Sequence, residues 1–464
     1  MKKLILLFLC VMIFSRLWPD EGAVGGSAVS GGTVSGSAVS TLEKQRMDTL
    51  RYGTETEIAS LIQTIKNEKV DYLDNELIAI AQKSKNRVIV SGIFSLFTET
   101  EKSGLEERAI KAVVEHDQEA NDTVLAAVNY LGSVKAGEAV DALQGLINSG
   151  ETRFLGNALR ALGRIAPEEE ADSVSGFLLD YYNNRSPSDE NKREIINALG
   201  EAGSKESVSF LSSLIKDEDE RVTLRMAALD AMAKIGDEEA MDVVIEAVSS
   251  PDPNVRSSAV AALAPFSGEA AENAILDAFR DTYYRTRMGA AQAAGKRRLE
   301  SAVPYLRYRA ENDEVPNVKD EAIKALGAIN NEEAMSILDS LFSERKNSDR
   351  VRIMAADMLL QNNADVYGSR VFAEMEDAKR RNQTALYNGF VRTMTTAKAP
   401  SLETTVLRLI SGGGVIEKSL ALDLILINEF RQLEDVMRSL LDEKKHSASI
   451  ARKAQNTLDK LGLE

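Results

Sequence analysis

The sequence predicts an all-α protein, an α-solenoid (superhelix) of stacked helical hairpins. Three observations lead there. A short helical phrase recurs at a near-constant period, a second amphipathic run follows each copy, and the Ala- and Leu-rich composition holds only 5% aromatic residues, as stacked small helices require. No stretch alternates like a long strand.

The phrase is clearest at Pro251-Asp252-Pro253-Asn254-Val255-Arg256-Ser257-Ser258-Ala259-Val260-Ala261-Ala262-Leu263. Pro-Asp-Pro-Asn cannot continue a helix, while Asp252 and Asn254 can cap the free N–H groups of the next one. Val255, Ala259, Ala262 and Leu263 then fall on one helical face. Ala161-Leu162-Gly163, Ala198-Leu199-Gly200 and Ala325-Leu326-Gly327 are near copies of its end. Aligning Gly132, Gly163, Gly200, Ala233, Ala264, Gly295 and Gly327 gives steps of 31, 37, 33, 31, 31 and 32 residues. Two helices and two turns fit that length, so the period marks a repeat array of about eleven or twelve hairpins.

The second run of each repeat opens on an acidic or Gly-containing turn, as in Asp237-Glu238-Glu239-Ala240-Met241 and Asn331-Glu332-Glu333-Ala334-Met335. Carboxylates there complement the helix dipole. The small residue closing each phrase lets two helices cross closely, and the sequence places that crossing inside the hairpin. The remaining prolines, Pro167 and Pro316 among them, sit at turns or helix starts.

Asp252-Pro253-Asn254-Val255-Arg256 with Ala262-Leu263, and Asp349-Arg350-Val351-Arg352 with Ala355-Ala356, resemble HEAT repeats, in particular the short bacterial form called the PBS-lyase HEAT-like repeat. The resemblance covers residues 120–360. It implies that the turn Asp and the Val-Arg pair begin the second helix of each repeat, and that these second helices line the concave face. It is specific for fold and says little about function. Beyond 360, Phe390-Val391, Leu424-Ile425 and Leu458-Asp459 continue the register.

At the start, Met1-Lys2-Lys3 and the apolar run Leu4 to Phe14 read as a signal peptide over residues 1–23, too short to span a bilayer on its own, with cleavage after Ser15 or after Ala23 and a retained anchor as the alternative. Cys10 is the only cysteine. Bulky Leu7-Phe8-Leu9 before it do not suit a lipidation signal, and the mature chain is expected to carry neither disulfide nor thiol chemistry, as suits an oxidising periplasm or cell envelope. Residues 24–40, with Ser-Ala-Val-Ser repeated among glycines, read as a flexible linker. Residues 41–119 read as an N-terminal cap with divergent repeats, because a terminal repeat must face water. Residues 361–464 read as the divergent C-terminal repeats and cap, with Ser411-Gly412-Gly413-Gly414 as the sharpest break.

Chemistry is sparse. His116 and His446 are far apart in sequence and are placed at the surface, so no histidine-centred triad or metal cluster is expected. The acidic runs Glu168-Glu169-Glu170 and Asp217-Glu218-Asp219-Glu220 lack the order of a calcium loop. No catalytic residue, cofactor or metal is assigned. A formal charge of −16 speaks against nucleic acid or an anionic membrane as the general partner.

One segment opposes that average. From Arg280 to Arg309, the eight cations Arg280, Arg285, Arg287, Lys296, Arg297, Arg298, Arg307 and Arg309 face only Asp281 and Glu300, with Tyr283, Tyr284, Tyr305 and Tyr308 among them, and exposed Arg and Tyr are enriched in binding hot spots. These residues, Arg280 apart, are the candidate contacts for an acidic protein partner; the opposing reading pairs the arginines with acidic neighbouring repeats and packs the tyrosines between helices. The function expected is a non-catalytic, exported scaffold that binds protein partners along an extended surface. The alternatives are a PBS-lyase-like enzyme or pigment handler and a self-associating envelope element.

Overall fold

The computed structural model describes residues 35–68, 72–166 and 168–463. The segment read as a signal peptide, and the linker up to residue 34, lie outside the described residues. Helix α1 (Ser35–Tyr52) begins inside the stretch read as linker. Extending a nucleated helix costs little per residue, so Ser-Ala-Val-Ser can follow the amphipathic run after it into the helix.

Helices pair along the chain: α1 with α2 (Glu55–Glu68), α3 (Asp74–Lys83) with α4 (Arg87–Thr100), α5 (Glu106–Val114) with α6 (Asn121–Val134), and α7 (Val140–Asn148) with α8 (Thr152–Ile165). The middle pairs are α9 (Ala171–Asn184) and α10 (Asp189–Ala202), α11 (Ser207–Lys216) and α12 (Val222–Ile235), α13 (Met241–Ala247) and α14 (Pro253–Ala262), α15 (Glu269–Ala278) and α16 (Tyr284–Arg297), and α17 (Val303–Asn312) and α18 (Pro316–Ile329). Next come α19 (Glu332–Ser343), α20 (Asp349–Arg380), α21 (Thr384–Met394), α22 (Glu403–Gly412), α23 (Val415–Asn428), α24 (Glu434–Ser439) and α25 (Ala448–Leu461).

Helix α20 is two helices joined without a loop. Asn363 leaves helical geometry at φ −155° and ψ 78°, and its side chain then accepts from Val366 N–H at 3.2 Å, capping the second half. Counting both halves, the described residues form thirteen hairpins rather than eleven or twelve. The divergent ends repeat the same pairing, so the motif fades while the packing continues. The break at Gly412–Gly414 is the turn between the packed helices α22 and α23, pinned by the Glu417 carboxylate on the Gly414 N–H at 2.9 Å.

The small residues at the phrase ends do something other than expected. They face the second helix of the next repeat, not the partner helix of their own hairpin. A Cβ on Gly132 would stand 3.1 Å from the Ala161 Cα, one on Gly163 2.6 Å from the Ala198 Cα, and one on Gly200 2.7 Å from the Ala231 Cα. Gly295 meets Ala325 in the same way at 3.0 Å. Residues two apart on a helix point to nearly opposite flanks. In Ala-Leu-Gly the alanine therefore receives the glycine of the repeat before, the glycine receives the alanine of the repeat after, and Leu162, Leu199 and Leu326 between them are fully buried in the core.

The ladder changes at two places. Pro265 stops α14 early, and the contact shifts to Gly289, whose Cβ would lie 3.1 Å from the Ser257 carbonyl oxygen. Past Gly327 the neighbour is the Met358 side chain, and the Asn362 amide bridges the Gly327 and Met358 carbonyls at 3.0 and 2.9 Å just before the kink. Second helices thus touch backbone to backbone, whereas several neighbouring first helices barely meet. Unequal spacing in two layers bends the stack, with the second helices on the inner side. Among the described residues no helix is long and apolar enough to cross a membrane.

Gly163 and Gly156 lie on the same helix in opposite surroundings. Gly163→Ala is expected to destabilise by about 2 kcal/mol, because helix backbones cannot yield as a flexible side chain would. Gly156 has open space around its Cα, so Gly156→Ala should stabilise by roughly 0.5–1 kcal/mol. Urea unfolding of both variants measures the contrast; equal effects would remove the ladder as the packing constraint.

Candidate functional site

The turns inside successive hairpins are tied by a repeated arginine–aspartate fastener. Asp252 caps α14 by accepting from Asn254 and Val255 N–H at 2.8 and 3.2 Å. Arg256, one turn into the helix, donates to the Ser250 and Pro251 carbonyls at 3.0 and 3.1 Å and, through Nε and Nη2, to Asp281 at 2.8 and 3.2 Å. Asp281 also accepts from Tyr283 N–H at 2.7 Å. One repeat later Arg287 does the same: it holds the Asp281 and Thr282 carbonyls at 3.0 and 3.1 Å and grips Asp313 through Nε and Nη2 at 2.7 and 2.8 Å. Each aspartate closes its own turn and clasps the repeat before it.

Arg287 is therefore not a surface contact. It is buried, and its planar fork is saturated by the fastener. Its place is given by its position 31 residues after Arg256, a signal present in the repeat period. Arg309 is also drawn inward, 3.4 Å from Asp313 with its guanidinium 5.2 Å from the Tyr308 ring. Burial opposes ionisation of Asp313, but the bonds from Arg287 and Val315 N–H and the charge of Arg309 outweigh it and hold the carboxyl below its ordinary value of 3.8. Asp281 is held low in the same manner by Arg256 and Tyr283 N–H.

The rest of the basic segment divides between two layers, since consecutive helices of a hairpin lie on different faces. Tyr305, Arg307 and Tyr308 stand on the first helix α17. Tyr305 stacks on Phe279 at 5.6 Å beneath Arg280, Arg307 pairs with Glu311 at 3.1 Å, and Tyr308 is 58% exposed. Tyr283 donates its hydroxyl to Asn254 at 3.1 Å in the turn. Arg297 is half-buried, with Nη1 enclosed and without a hydrogen-bond partner, and Arg298 is exposed at the end of α16. Only Tyr284, Arg285 and Lys296 reach the inner face. The segment is not one surface.

On that face the residue three before each small phrase-closing residue is polar in most repeats: Asn129, Arg160, Asn197, Asp230, Gln292, Lys324 and, at the same register in α20, Asp357, with Ala261 as the exception. Sequence reasoning missed this row, although the same period that aligned the glycines would have found it. Polar pairs zip the inner face at several steps, Asn157 to Asn129 at 2.8 Å, Arg160 to Glu194 at 3.4 Å, Lys234 to Glu201 at 2.6 Å, and Arg350 to Asp320. The zip lapses over α14, whose inner side carries Ser257 and Ala261. There a trough of about 350 Å³ opens, lined by Ser257, Ala261, Tyr284, Arg285, Met288, Gly289, Gln292 and Asn317. Asp230 on α12 is exposed, yet crowding by the surrounding protein raises its carboxyl against the pull of Lys234 and of Lys296 on α16.

The family model described as Spirochaete HEAT repeat protein matches residues 50–457. The chain belongs to this family. The match takes in the N-terminal and C-terminal pairs that the HEAT motif alone leaves out. Similar solved structures include Kap121p at 11% identity, covering 92% of this HEAT chain and 54% of that one with a TM-score of 0.43. Kap121p bound to Nup53p matches at 12%, 90%, 52% and 0.42, and Kap121p bound to Pho4p at 11%, 93%, 56% and 0.43. The chain spans about half the length of these structures. No curated protein matches it in sequence.

Three further polar groups lie in packed surroundings. Glu417 is buried, which opposes ionisation, but Lys379, the Tyr387 hydroxyl at 2.7 Å and the backbone pull its carboxyl down to about 2. His116, placed at the surface by sequence, is half-buried because it ends α5 and folds back, its Nδ1 3.1 Å from the Val113 carbonyl and its ring 6.4 Å from Phe154. His446 is half-buried beside Lys418. No group of three potential metal ligands occurs among the described residues.

Arg287→Ala should cost about 3 kcal/mol or more, since it leaves Asp313 buried and unpaired, while Arg298→Ala should stay within about 0.5 kcal/mol; thermal unfolding measures both. Asp281, Asp313 and Glu417 all have folded values below their unfolded ones. The unfolded chain therefore takes up their protons first, and their stabilisation is complete above pH 4.5 and lost as pH falls from there toward 2. Acid titration of the unfolding midpoint should show that loss, with a shallower slope in Asp313→Asn.

Proposed function

We propose that this HEAT chain is a non-catalytic binding scaffold, exported to the periplasm or cell envelope, that recognises a protein partner through the inner face of its second helices. The observation that carries this reading is the polar inner row from Asn129 to Asp357, one solvent-facing side chain in most repeats. A partner chain laid along it meets evenly spaced contacts, and specificity follows from their order. Export rests on the charged start and the apolar run Leu4 to Phe14.

The trough over α14 is built mostly of small, amide and cationic side chains, which suit a polypeptide better than a conjugated pigment.

A photo-crosslinking amino acid placed at Asn197, Asp230 or Lys324 should capture a defined partner in the native envelope fraction, while the same group at Ser213 or Asp277 on the first helices should not. Adducts only from the first-helix sites would move the surface to the other layer. Adducts of twice the chain mass would favour self-association, and colour retained on purification would favour pigment handling.

A further inference from the structure

The trough over α14 holds one cation, Arg285, and no carboxylate lines it. Among the described residues, Arg256, Arg280, Arg287, Arg307, Arg309, Lys324, Arg345 and Arg350 each lie within ion-pair distance of an acid. Arg285 does not; its Nε donates to the Tyr284 hydroxyl at 3.1 Å and its guanidinium is exposed. Lys296, one turn beyond Gln292 on the same helix, is exposed and lies outside ion-pair distance of an acid among the described residues, in a depression toward α18 that Glu321 and Lys324 also line. The cause is local. Ser257 and Ala261 on α14 are too short to reach across, and Gly289 brings the α16 backbone down onto α14.

Arg285, Met288, Gln292 and Lys296 share one side of α16 at helical spacing. Eleven residues separate the two cations, about 16 Å along the axis. Between them Met288 is half-buried, and its unbranched side chain can adapt to an apolar partner group. Gln292, exposed beside it, and Asn317 on the facing helix offer amides to a peptide backbone. The surface is thus cation, apolar seat, amide and cation in order, in a protein whose overall charge is −16.

We infer that this trough takes a segment of the partner chain carrying an apolar side chain flanked on both sides by carboxylates, the apolar group seated at Met288 and the carboxylates on Arg285 and Lys296. For an extended segment rising about 3.3 Å per residue, the two carboxylates stand about five residues apart. This deepens the scaffold reading and rests on it. Charge complementarity of this kind sets which partner binds and how salt weakens it.

Random dodecapeptides displayed on phage, selected on the full chain and counter-selected on the Arg285→Glu/Lys296→Glu variant, test it. Both substitutions fall on exposed side chains without ion pairs, and circular dichroism checks the fold; Arg285→Gln/Lys296→Gln replaces the variant if charge reversal unfolds it. Recovered sequences should share two acidic residues about five apart around an apolar one. The labelled consensus peptide should bind the variant about tenfold or more weakly, bind Met288→Glu weakly, and bind Arg298→Glu like the parent. Recovery of no sequences, recovery without the acidic pair, or equal binding to parent and variant overturns the inference. A partner that crosslinks at Asn197 or Lys324 yet ignores the charge reversal overturns the acidic segment and leaves the scaffold standing. Failure of the inner-face and the first-helix sites alike to crosslink removes the scaffold itself.

Discussion

The backbone contact between successive second helices is the constraint on which the solenoid depends. Gly163 against Ala198, and Gly200 against Ala231, leave no room for a methyl group, so each helix is located by its neighbours on both sides. Because Ala and Gly stand two apart, one tripeptide serves both contacts while the leucine between them fills the core. Tight packing in that layer alone also curves the stack, since the first helices are held farther apart. The inner face and its solvent-facing row follow from that curvature.

Polar fasteners join the same successive repeats as the apolar ladder does. Arg256–Asp281 and Arg287–Asp313 join the turns at one end of the helices. Their burial is costly for the charges, and is compensated only because each carboxylate accepts a turn N–H as well as a bidentate guanidinium. The consequence is a repeat-to-repeat geometry set at two levels, by packing in the middle and by charge at the turn. Where either device is altered, the surface changes: the early stop of α14 before Pro265 and its short side chains Ser257 and Ala261 open the trough, and Met358 beyond Gly327 precedes the loopless kink at Asn363.

Much of the fold was legible in the residues. The period, the turn chemistry at Asp252-Pro253 and the phrase end at Ala161-Leu162-Gly163 identify a solenoid because they are local requirements written into every repeat. The partner of each glycine was not legible, since helical spacing tells which side a residue is on but not which helix waits there. The same limit applies to the basic segment. Arg285, Arg287, Arg307 and Arg309 are close in sequence and alike in chemistry, yet one faces the inner trough, one is buried in a fastener, one pairs along the first helix and one leans on Asp313.

The sequence by itself determined that this chain is an array of helical hairpins, because repetition, capping and amphipathic spacing act over a few residues and need no knowledge of the whole. Tertiary structure alone decided which small residues meet, which cations are spent on the fold and which remain open at the α14 trough. Those outcomes depend on residues some thirty apart coming within a few ångströms across neighbouring repeats, a distance that local rules do not span.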